Sequence, residues 1–155
     1  RDLLREESAM WKLFEKFVYR FYEHEQDRYE VSAPRIDWDV SGPSPEPLPN
    51  MWTDVVLKDP DKTIILDTKY SKNALGTHYG EEVYKSKDLY QLFAYLQNAE
   101  AKGGRYRGVE GILLYPTTDA KLDDEFEVRD HRIRICTLNL AQEWKGIHED
   151  LLAIL

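Results

Sequence analysis

The sequence has 155 residues, 42% of them hydrophobic and 32% charged, which fits one globular domain with a buried core. It contains no apolar run near the roughly 18 residues of a membrane span, and its single cysteine, Cys136, excludes an internal disulfide and favours a reducing cytoplasm. The net charge of -8 argues against a domain that holds nucleic acid tightly by itself, because such affinity comes mainly from Lys and Arg on phosphates.

The N-terminal part of the chain predicts a long helix and then a strand. Over residues 2–26, apolar side chains recur at three- and four-residue steps, which is the spacing of one helix face. They are Met10, Phe14, Phe17 and Phe21, with Trp11, Val18 and Tyr22 beside them. Strict alternation of apolar and charged residues over 35–40 predicts a strand with one buried face, and the proline-rich segment 41–50 predicts a loop.

A hairpin follows, with strands over 51–58 and 63–70 joined by a turn at 59–62. The remaining predicted elements are a flexible polar connection (71–85), a helix (86–102), a buried strand (108–116), a hairpin (126–138) that turns near Asp130 and His131, and an amphipathic helix (140–155). This order predicts an α/β fold in which a central mixed β-sheet is flanked by helices.

The central hairpin places three ionisable residues together. The turn predicts a register in which paired positions sum to 121, so that Asp54 lies opposite Asp67. Lys69 is two residues beyond Asp67 and therefore points to the same face of the sheet. Two carboxylates and one ammonium group are thus expected within a few ångströms of one another.

This arrangement predicts a metal site. Two opposed carboxylates repel each other, and their neighbours on both strands are apolar, which indicates central strands that are covered on both faces. Buried charges are costly unless they are paired or bound to a metal ion. Mg²⁺, with Mn²⁺ as a substitute, would offset the repulsion and lower the pKa of a coordinated water. The alternative is a simple ion pair of Asp67 and Lys69 in a half-exposed hairpin.

Three motifs in this order resemble a known nuclease superfamily. They are the helix string LFEKFV (13–18), the hairpin in which DTKY follows thirteen residues after Asp54, and the helix string LYQLFAYL (89–96) with its Q-x-x-x-Y pattern. Together they resemble the PD-(D/E)xK nucleases, which have a restriction-endonuclease-like fold, and more narrowly the McrC nuclease subunits of McrBC-type restriction systems. One departure is Thr53, which stands where the superfamily name has proline.

The resemblance implies further site residues. Glu15 would join Asp54 and Asp67 as a metal ligand, and Gln91 and Tyr95 would border the active site and contact the DNA backbone or the attacking water. Gln91 and Tyr95 are one helical turn apart and share a face. Structural alternatives remain for each position: Glu15 pairs with a neighbour such as Lys12 or Tyr19, Tyr95 packs, and Gln91 forms a capping box with Asp88.

The resemblance also implies a function. Residues 1–155 would be a single nuclease domain, excised from a longer chain since Arg1 is not a methionine. It would be a Mg²⁺-dependent endonuclease that cuts double-stranded DNA with modified cytosine, the cleavage subunit of a GTP-driven complex whose motor is an AAA+ McrB-like subunit. The sequence leaves open whether two copies pair to break both strands. The alternatives are a RecB-like nuclease, a branched-DNA resolvase, or a non-catalytic assembly module.

Basic residues are predicted to line the entrance of the site and to answer the unfavourable net charge. They are Lys69, Lys72, Lys85 and Lys87, with Arg105 and Arg107 further along the chain. A solvated loop would explain the same residues. Of the four histidines, only His78 follows the DTK strand closely enough to be a neighbour of the site.

Overall fold

The computed structural model describes residues 2–70, 75–78, 81–84, 86–117 and 121–155. In chain order its elements are α1 (Asp2–His24), β1 (Glu30–Ser32), β2 (Arg35–Ile36), β3 (Met51–Trp52), β4 (Val55–Lys58), β5 (Thr63–Thr68), β6 (Leu75–His78), β7 (Glu81–Tyr84), α2 (Ser86–Ala101), a short 3-10 helix (Gly104–Tyr106), β8 (Glu110–Thr117), β9 (Asp123–Val128), β10 (His131–Asn139) and α3 (Trp144–Ala153). No helix within these ranges is long and apolar enough to cross a membrane.

A six-stranded mixed sheet forms the centre of the fold, in the order β1-β4-β5-β8-β10-β9. The pairs β5–β8 and β8–β10 are parallel, and the other three pairs are antiparallel. Every residue of β5 is buried, since the sheet is covered on both faces. The predicted α/β fold with a central mixed sheet and flanking helices is confirmed.

The two faces of the sheet have separate cores. On one face α1 and α3 pack against the sheet, and the Tyr22 hydroxyl joins these helices by donating to the Leu151 carbonyl at 2.7 Å. On the other face α2 packs against β8, and the approach is close at Gly111. A Cβ at Gly111 would lie 2.9 Å from the Leu96 side chain and 3.0 Å from that of Leu92. This contact holds α2 against the middle of the sheet.

The strand predicted over 35–40 is shorter and lies outside the central sheet. Only Arg35 and Ile36 pair, and they pair with β3 in a separate two-stranded sheet. The polar groups that follow have other partners: the Trp38 indole donates to the Pro49 carbonyl, and the Asp39 amide donates to the Asn98 side chain. Because a loop carbonyl and a helix side chain bind these groups, the alternation of apolar and charged residues continues beyond Ile36 without strand pairing.

The strand predicted over 51–58 is interrupted at Thr53 and Asp54, between β3 and β4. The Thr53 amide and hydroxyl both donate to the Pro34 carbonyl, at 3.2 and 2.5 Å, so Thr53 is tied to the segment before β2. The chain joins the central sheet only at Val55. The edge partner of β4 is β1, a three-residue strand that the sequence pattern did not predict.

Two other predicted segments differ from the structure. Within 71–85, described as a flexible connection, β6 and β7 pair as a short antiparallel hairpin. The C-terminal helix begins at Trp144 rather than near residue 140, because Leu140 donates its amide to Thr117 and Ala141 donates to the Asn139 side chain. The hairpin of β9 and β10 turns at Arg129 and Asp130 as predicted, with φ of 51° and 67°.

Candidate active site

The β4–β5 register is the predicted one. Val55 pairs with Leu66, two positions that sum to 121. The ladder begins at Val55, so Asp54 lies one residue outside it. Its carboxylate nevertheless reaches the second strand, where Oδ2 accepts hydrogen bonds from the Thr68 amide at 2.8 Å and the Thr68 hydroxyl at 3.0 Å. A side-chain contact therefore brings Asp54 to the end of β5 that carries Asp67.

Asp67 is a buried carboxylate with an unsatisfied oxygen. Burial raises the pKa of its carboxyl group well above the ordinary value; the Lys69 ammonium opposes this rise, and the Asp54 carboxylate adds to it. Lys69 Nζ lies 3.1 Å from Asp67 Oδ2 and forms an ion pair with it, and this buried oxygen accepts no hydrogen bond of good geometry from the described residues. Such an oxygen is costly to bury, and a cation would satisfy it.

Glu15 reaches the same place from α1. Its pKa is raised from 4.5 to about 7, first by burial and second by a hydrogen bond shared with the Asp54 carboxyl group. Two carboxyl groups in such contact must hold a proton between them or be joined by a cation, since two adjacent anions repel each other. The contact with Asp54 places Glu15 beside a second acid of the hairpin, and the Lys12 ammonium is also near enough to lower the pKa of Glu15.

Lys69 is held by a chain of hydrogen bonds from α2. Its Nζ donates to Gln91 Oε1 at 2.5 Å, Gln91 Nε2 donates to the Tyr95 hydroxyl at 2.8 Å, and that hydroxyl donates to the Trp52 carbonyl at 3.2 Å. Burial and the charge of Asp67 raise the pKa of Tyr95, which keeps its hydroxyl protonated. Because the Tyr95 proton points to Trp52, the hydroxyl accepts from Gln91 and turns the amide oxygen toward Lys69.

The capping-box alternative for Gln91 is wrong. Asp88 accepts a hydrogen bond from the Tyr115 hydroxyl at 2.7 Å, and Gln91 faces Lys69 and Tyr95 instead of the helix start. The reason is geometric: Asp88 lies inside the first turn of α2, which begins at Ser86, and so does not occupy the capping position.

The predicted basic rim is wrong for two of its described members. Lys69 is only 6% exposed and belongs to the centre itself. Arg105 pairs with Glu30 at 3.3 Å and donates to the Asp59 carbonyl at 3.4 Å, which places it at the turn end of the hairpin, away from Asp67. Arg107 follows in the same segment, and Lys87 is exposed on α2. The side chain of His78 and the residues Lys72 and Lys85 lie outside what the structure describes.

The chemistry of the donor set fits a hard divalent cation. Among the described residues, no group of three or more His, Cys, Asp or Glu side chains is placed so that it could hold a metal ion. Glu15 and Asp67 instead each share a hydrogen bond with Asp54. Carboxylate oxygens are the ligands that Mg²⁺ prefers, and a cation there would replace the shared protons and satisfy Asp67 Oδ2. Glu15, Asp54 and Asp67 are therefore the candidate ligands by their chemistry, and binding an ion would require their carboxylates to converge.

Two residues beside this centre were not predicted as site residues. Thr68 holds Asp54, although strand alternation turns its side chain away from those of Asp67 and Lys69. Trp11 donates its indole N–H to the Thr68 carbonyl at 2.9 Å, and its ring centroid lies 5.2 Å from Lys69 Nζ. A signal for Trp11 existed in the sequence, because it lies four residues before Glu15 on the same face of α1.

The chain is similar in sequence to proteins of known classification. Residues 8–116 match the family described as McrBC 5-methylcytosine restriction system component, and this range includes Glu15, the hairpin and α2. The chain is 35% identical over 156 residues to the type IV methyl-directed restriction enzyme EcoKMcrBC of Escherichia coli (strain K12), covering 99% of this chain and 44% of that protein. It thus spans less than half the length of this relative. The chain belongs to the McrBC 5-methylcytosine restriction system component family.

Proposed function

We propose that this chain is the Mg²⁺-dependent DNA-cleaving domain of a modification-dependent restriction complex. Asp54, Asp67 and Glu15 are its metal ligands, and Lys69 is its catalytic cation. The observation that supports this best is the buried Asp67 Oδ2, which lies 3.1 Å from Lys69 Nζ and has no hydrogen-bond partner within the described residues. This ion pair lies at the end of a central strand beside a second acid, Asp54, where a cation would add compensating charge.

The charge balance of the centre supports a divalent cation. The carboxyl groups of Glu15 and Asp67 both have raised pKa values, and each is close enough to Asp54 to share a hydrogen bond with it. The Lys69 ammonium group faces Glu15 and Asp67, and the Lys12 ammonium group acts on Glu15 alone. Mg²⁺ would supply the missing positive charge, polarise a phosphate oxygen and make a water acidic enough to act as a nucleophile near neutral pH.

The chain's own residues have separate tasks in this proposal. Thr68 fixes Asp54 through two hydrogen bonds, so that this carboxylate would face the metal ion in one orientation. The Lys69 ammonium stabilises the charge that develops on the scissile phosphate, as fixed donors do in other phosphoryl and acyl transfers. Gln91 and Tyr95 hold this ammonium in place through the hydrogen-bond chain from α2.

The same proposal assigns the DNA grip to another subunit. The chain has a net charge of -8, and Arg105 is paired at the far end of the hairpin. Weak intrinsic affinity suits a domain that a DNA-bound motor delivers to its target. The substrate is double-stranded DNA with methylated cytosine, the partner is an AAA+ GTPase, and two copies pair to cut both strands in the cytoplasm. The family description and the methyl-directed relative support the substrate.

Crystals grown with Mn²⁺ test the metal centre without the partner or the DNA. An anomalous peak among Glu15, Asp54 and Asp67 is expected in the wild-type chain and should be absent from Asp67→Asn. Asp59→Asn, which changes a buried aspartate at the other end of the hairpin, should keep the peak. If Mn²⁺ leaves no peak and protein donors satisfy both Asp54 and Asp67, the metal proposal is wrong and the non-catalytic assembly module is favoured.

A further inference from the structure

We infer that Trp11 is a positioning residue for Lys69. Its indole fixes the main chain on which Lys69 is carried and presents its ring to the ammonium group. This inference rests on the proposed function, because it assigns Trp11 a task in the same centre. Trp11 touches no reacting atom in this proposal and acts through Lys69.

Two contacts of the indole meet at Lys69. The Nε1–H of Trp11 donates to the carbonyl of Thr68 at 2.9 Å, and this carbonyl belongs to the peptide bond that precedes Lys69. The centroid of the Trp11 ring lies 5.2 Å from Lys69 Nζ, within the range of a cation–π attraction. The same side chain therefore restrains both the base and the tip of Lys69.

The helix explains why one side chain can do this. Trp11 and Glu15 are four residues apart and lie on one face of α1, so the helix presents both to the end of β5. Glu15 contacts Asp54, and Asp54 accepts a hydrogen bond from the Thr68 amide. The Trp11 indole N–H donates to the Thr68 carbonyl. The main chain at Thr68 is thus held on both sides by groups that border the metal ligands.

Burial argues against a simple packing role for Trp11. Trp11 is 39% exposed, and its neighbours on the helix, Met10 at 43% and Leu13 at 61%, are not buried either. Lys69 is 6% exposed, so the indole belongs to the cover over a buried ammonium and not to the core of the α1 face. A large aromatic residue that is left partly in solvent is explained by the group it covers.

The chemistry of the contact suits a catalytic cation. An additional carboxylate at this position would neutralise Lys69 and compete with the phosphate for its protons. An aromatic ring attracts the ammonium without taking an N–H donor in a strong hydrogen bond. Gln91 Oε1 holds one donor of Lys69, and the ring restricts the remaining motion. The ammonium is oriented and remains able to meet a phosphate oxygen.

Kinetics of cleavage test this inference with the full-length chain and its partner. Trp11→Ala should lower kcat by roughly 10–100-fold, the usual effect of removing a group that orients an active-site residue, and should leave KM within about threefold. Trp11→Phe keeps a ring and loses the N–H, so it should recover part of kcat. Leu13→Ala, an exposed substitution on the same helix, is the matched control and should cut as wild type does. Equal kcat for Trp11→Ala and wild type would overturn the inference.

A double-mutant cycle shows whether Trp11 acts through Lys69. In a Lys69→Ala background, Trp11→Ala should cause no further loss, because the two residues serve one group. A full additional loss would mean that Trp11 contacts DNA or supports the fold independently, and the inference would be wrong.

A crystal structure of Trp11→Ala gives a result that does not depend on activity. Lys69 Nζ should move away from its positions near Asp67 Oδ2 and Gln91 Oε1. An unmoved ammonium would overturn the inference even if the wild-type chain proved not to cut DNA. Absence of cleavage by the wild-type complex, together with a displaced ammonium in the variant, would refute the proposed function and leave the positioning role supported.

Discussion

The two ends of the β4–β5 hairpin each bury an aspartate, and the two residues have opposite electrostatic environments. Asp59, in the turn, is 5% exposed, and Asp67, at the open end, is 3% exposed. Asp59 Oδ1 accepts from the Asp61 and Lys62 amides at 2.7 Å each, and Oδ2 accepts from Arg28 at 2.9 Å. Asp67 Oδ2 has no such donor among the described residues.

The pKa values of these two groups follow from this difference. The Lys62 amide first, with help from the Asp61 amide and Arg28, lowers the pKa of Asp59 in spite of its burial. Burial raises the pKa of Asp67 well above the ordinary value. Low solvent exposure alone therefore does not decide the role of a carboxylate, because Asp67 lies deeper among protein atoms than Asp59 does. At the turn the fold supplies N–H donors to both carboxylate oxygens, whereas at the open end Asp67 Oδ2 has only the Lys69 ammonium, 3.1 Å away.

The largest expected difference between the two ends is in DNA cleavage. Asp67→Asn and Lys69→Ala should each lower kcat/KM by roughly 100-fold or more, because Asp67→Asn removes a metal ligand and Lys69→Ala removes a positive charge that stabilises the transition state. Asp59→Asn should leave kcat/KM within about threefold, since Asp59 contacts only the turn and Arg28. The measurement is cleavage of cytosine-methylated plasmid by the reconstituted complex.

The assay needs a control for folding. Circular dichroism should show that all three variants keep the secondary structure of the wild type. A Lys69→Ala variant that cuts as fast as wild type would show that Lys69 is not the catalytic cation. A folded Asp59→Asn variant that is inactive would remove the contrast between the two ends.

Magnesium should stabilise the fold by binding at the open end of the hairpin, and this stabilisation should not depend on Asp59 in the turn. At a hundredfold excess over its dissociation constant, Mg²⁺ should raise the free energy of unfolding of the wild-type chain by about 2.7 kcal/mol. Asp67→Asn should lose most of this gain, and Asp59→Asn should keep it. Urea unfolding in EDTA and in Mg²⁺ measures the difference. Equal stabilisation of all three proteins would mean that the ion binds elsewhere.

The same comparison explains what the sequence could and could not reveal. The turn is short, so its register depends on local residues, and Asp54, Asp67 and Lys69 could be placed together from strand alternation alone. Glu15, Gln91 and Tyr95 are distant in sequence, and spacing alone left packing or capping open for them. Their assignment came from the family resemblance, and the structure brings them to Asp54 and Lys69.

The errors arose where side chains or non-local contacts decide the backbone. The pattern over 35–40 alternates correctly, but Trp38 and Asp39 bind loop and helix groups in place of a neighbouring strand. The break at Thr53 depends on the Pro34 carbonyl, nineteen residues earlier in the chain. Arg105 was grouped with the site entrance by charge alone, and only the tertiary fold shows that it pairs with Glu30.

A smaller loss of activity is expected when Tyr95 is substituted, because its hydroxyl orients the Gln91 side chain beside Lys69. Tyr95→Phe removes the hydroxyl that accepts from Gln91 Nε2 and donates to the Trp52 carbonyl. Gln91 can then rotate, and Lys69 loses a fixed acceptor, so kcat should fall about tenfold with little change in KM. Steady-state kinetics of cleavage measures this. A rise in KM with kcat unchanged would instead indicate that Tyr95 binds DNA directly.

The smallest expected effect is the contribution of Asp59 to stability, and pH isolates it. Because the folded-state pKa of Asp59 lies below its ordinary value of 3.8, its ionised form stabilises the fold above pH 3.8. This contribution is lost as pH falls through the lowered pKa. Asp59→Asn cannot ionise, so wild type should exceed it in melting temperature above pH 3.8, on the order of 2–4 °C for a chain of this size.

The difference between wild type and Asp59→Asn should shrink as pH falls below 3.8 and approach zero below the lowered pKa of Asp59, where both side chains are neutral. Melting curves recorded in EDTA from pH 2 to pH 6 measure this, and EDTA removes any contribution of divalent cations at Asp67. A difference that stays constant with pH would show that Asp59 stabilises the turn by shape and neutral hydrogen bonds. The comparison of an ionised, fully hydrogen-bonded Asp59 with Asp67 would then no longer hold.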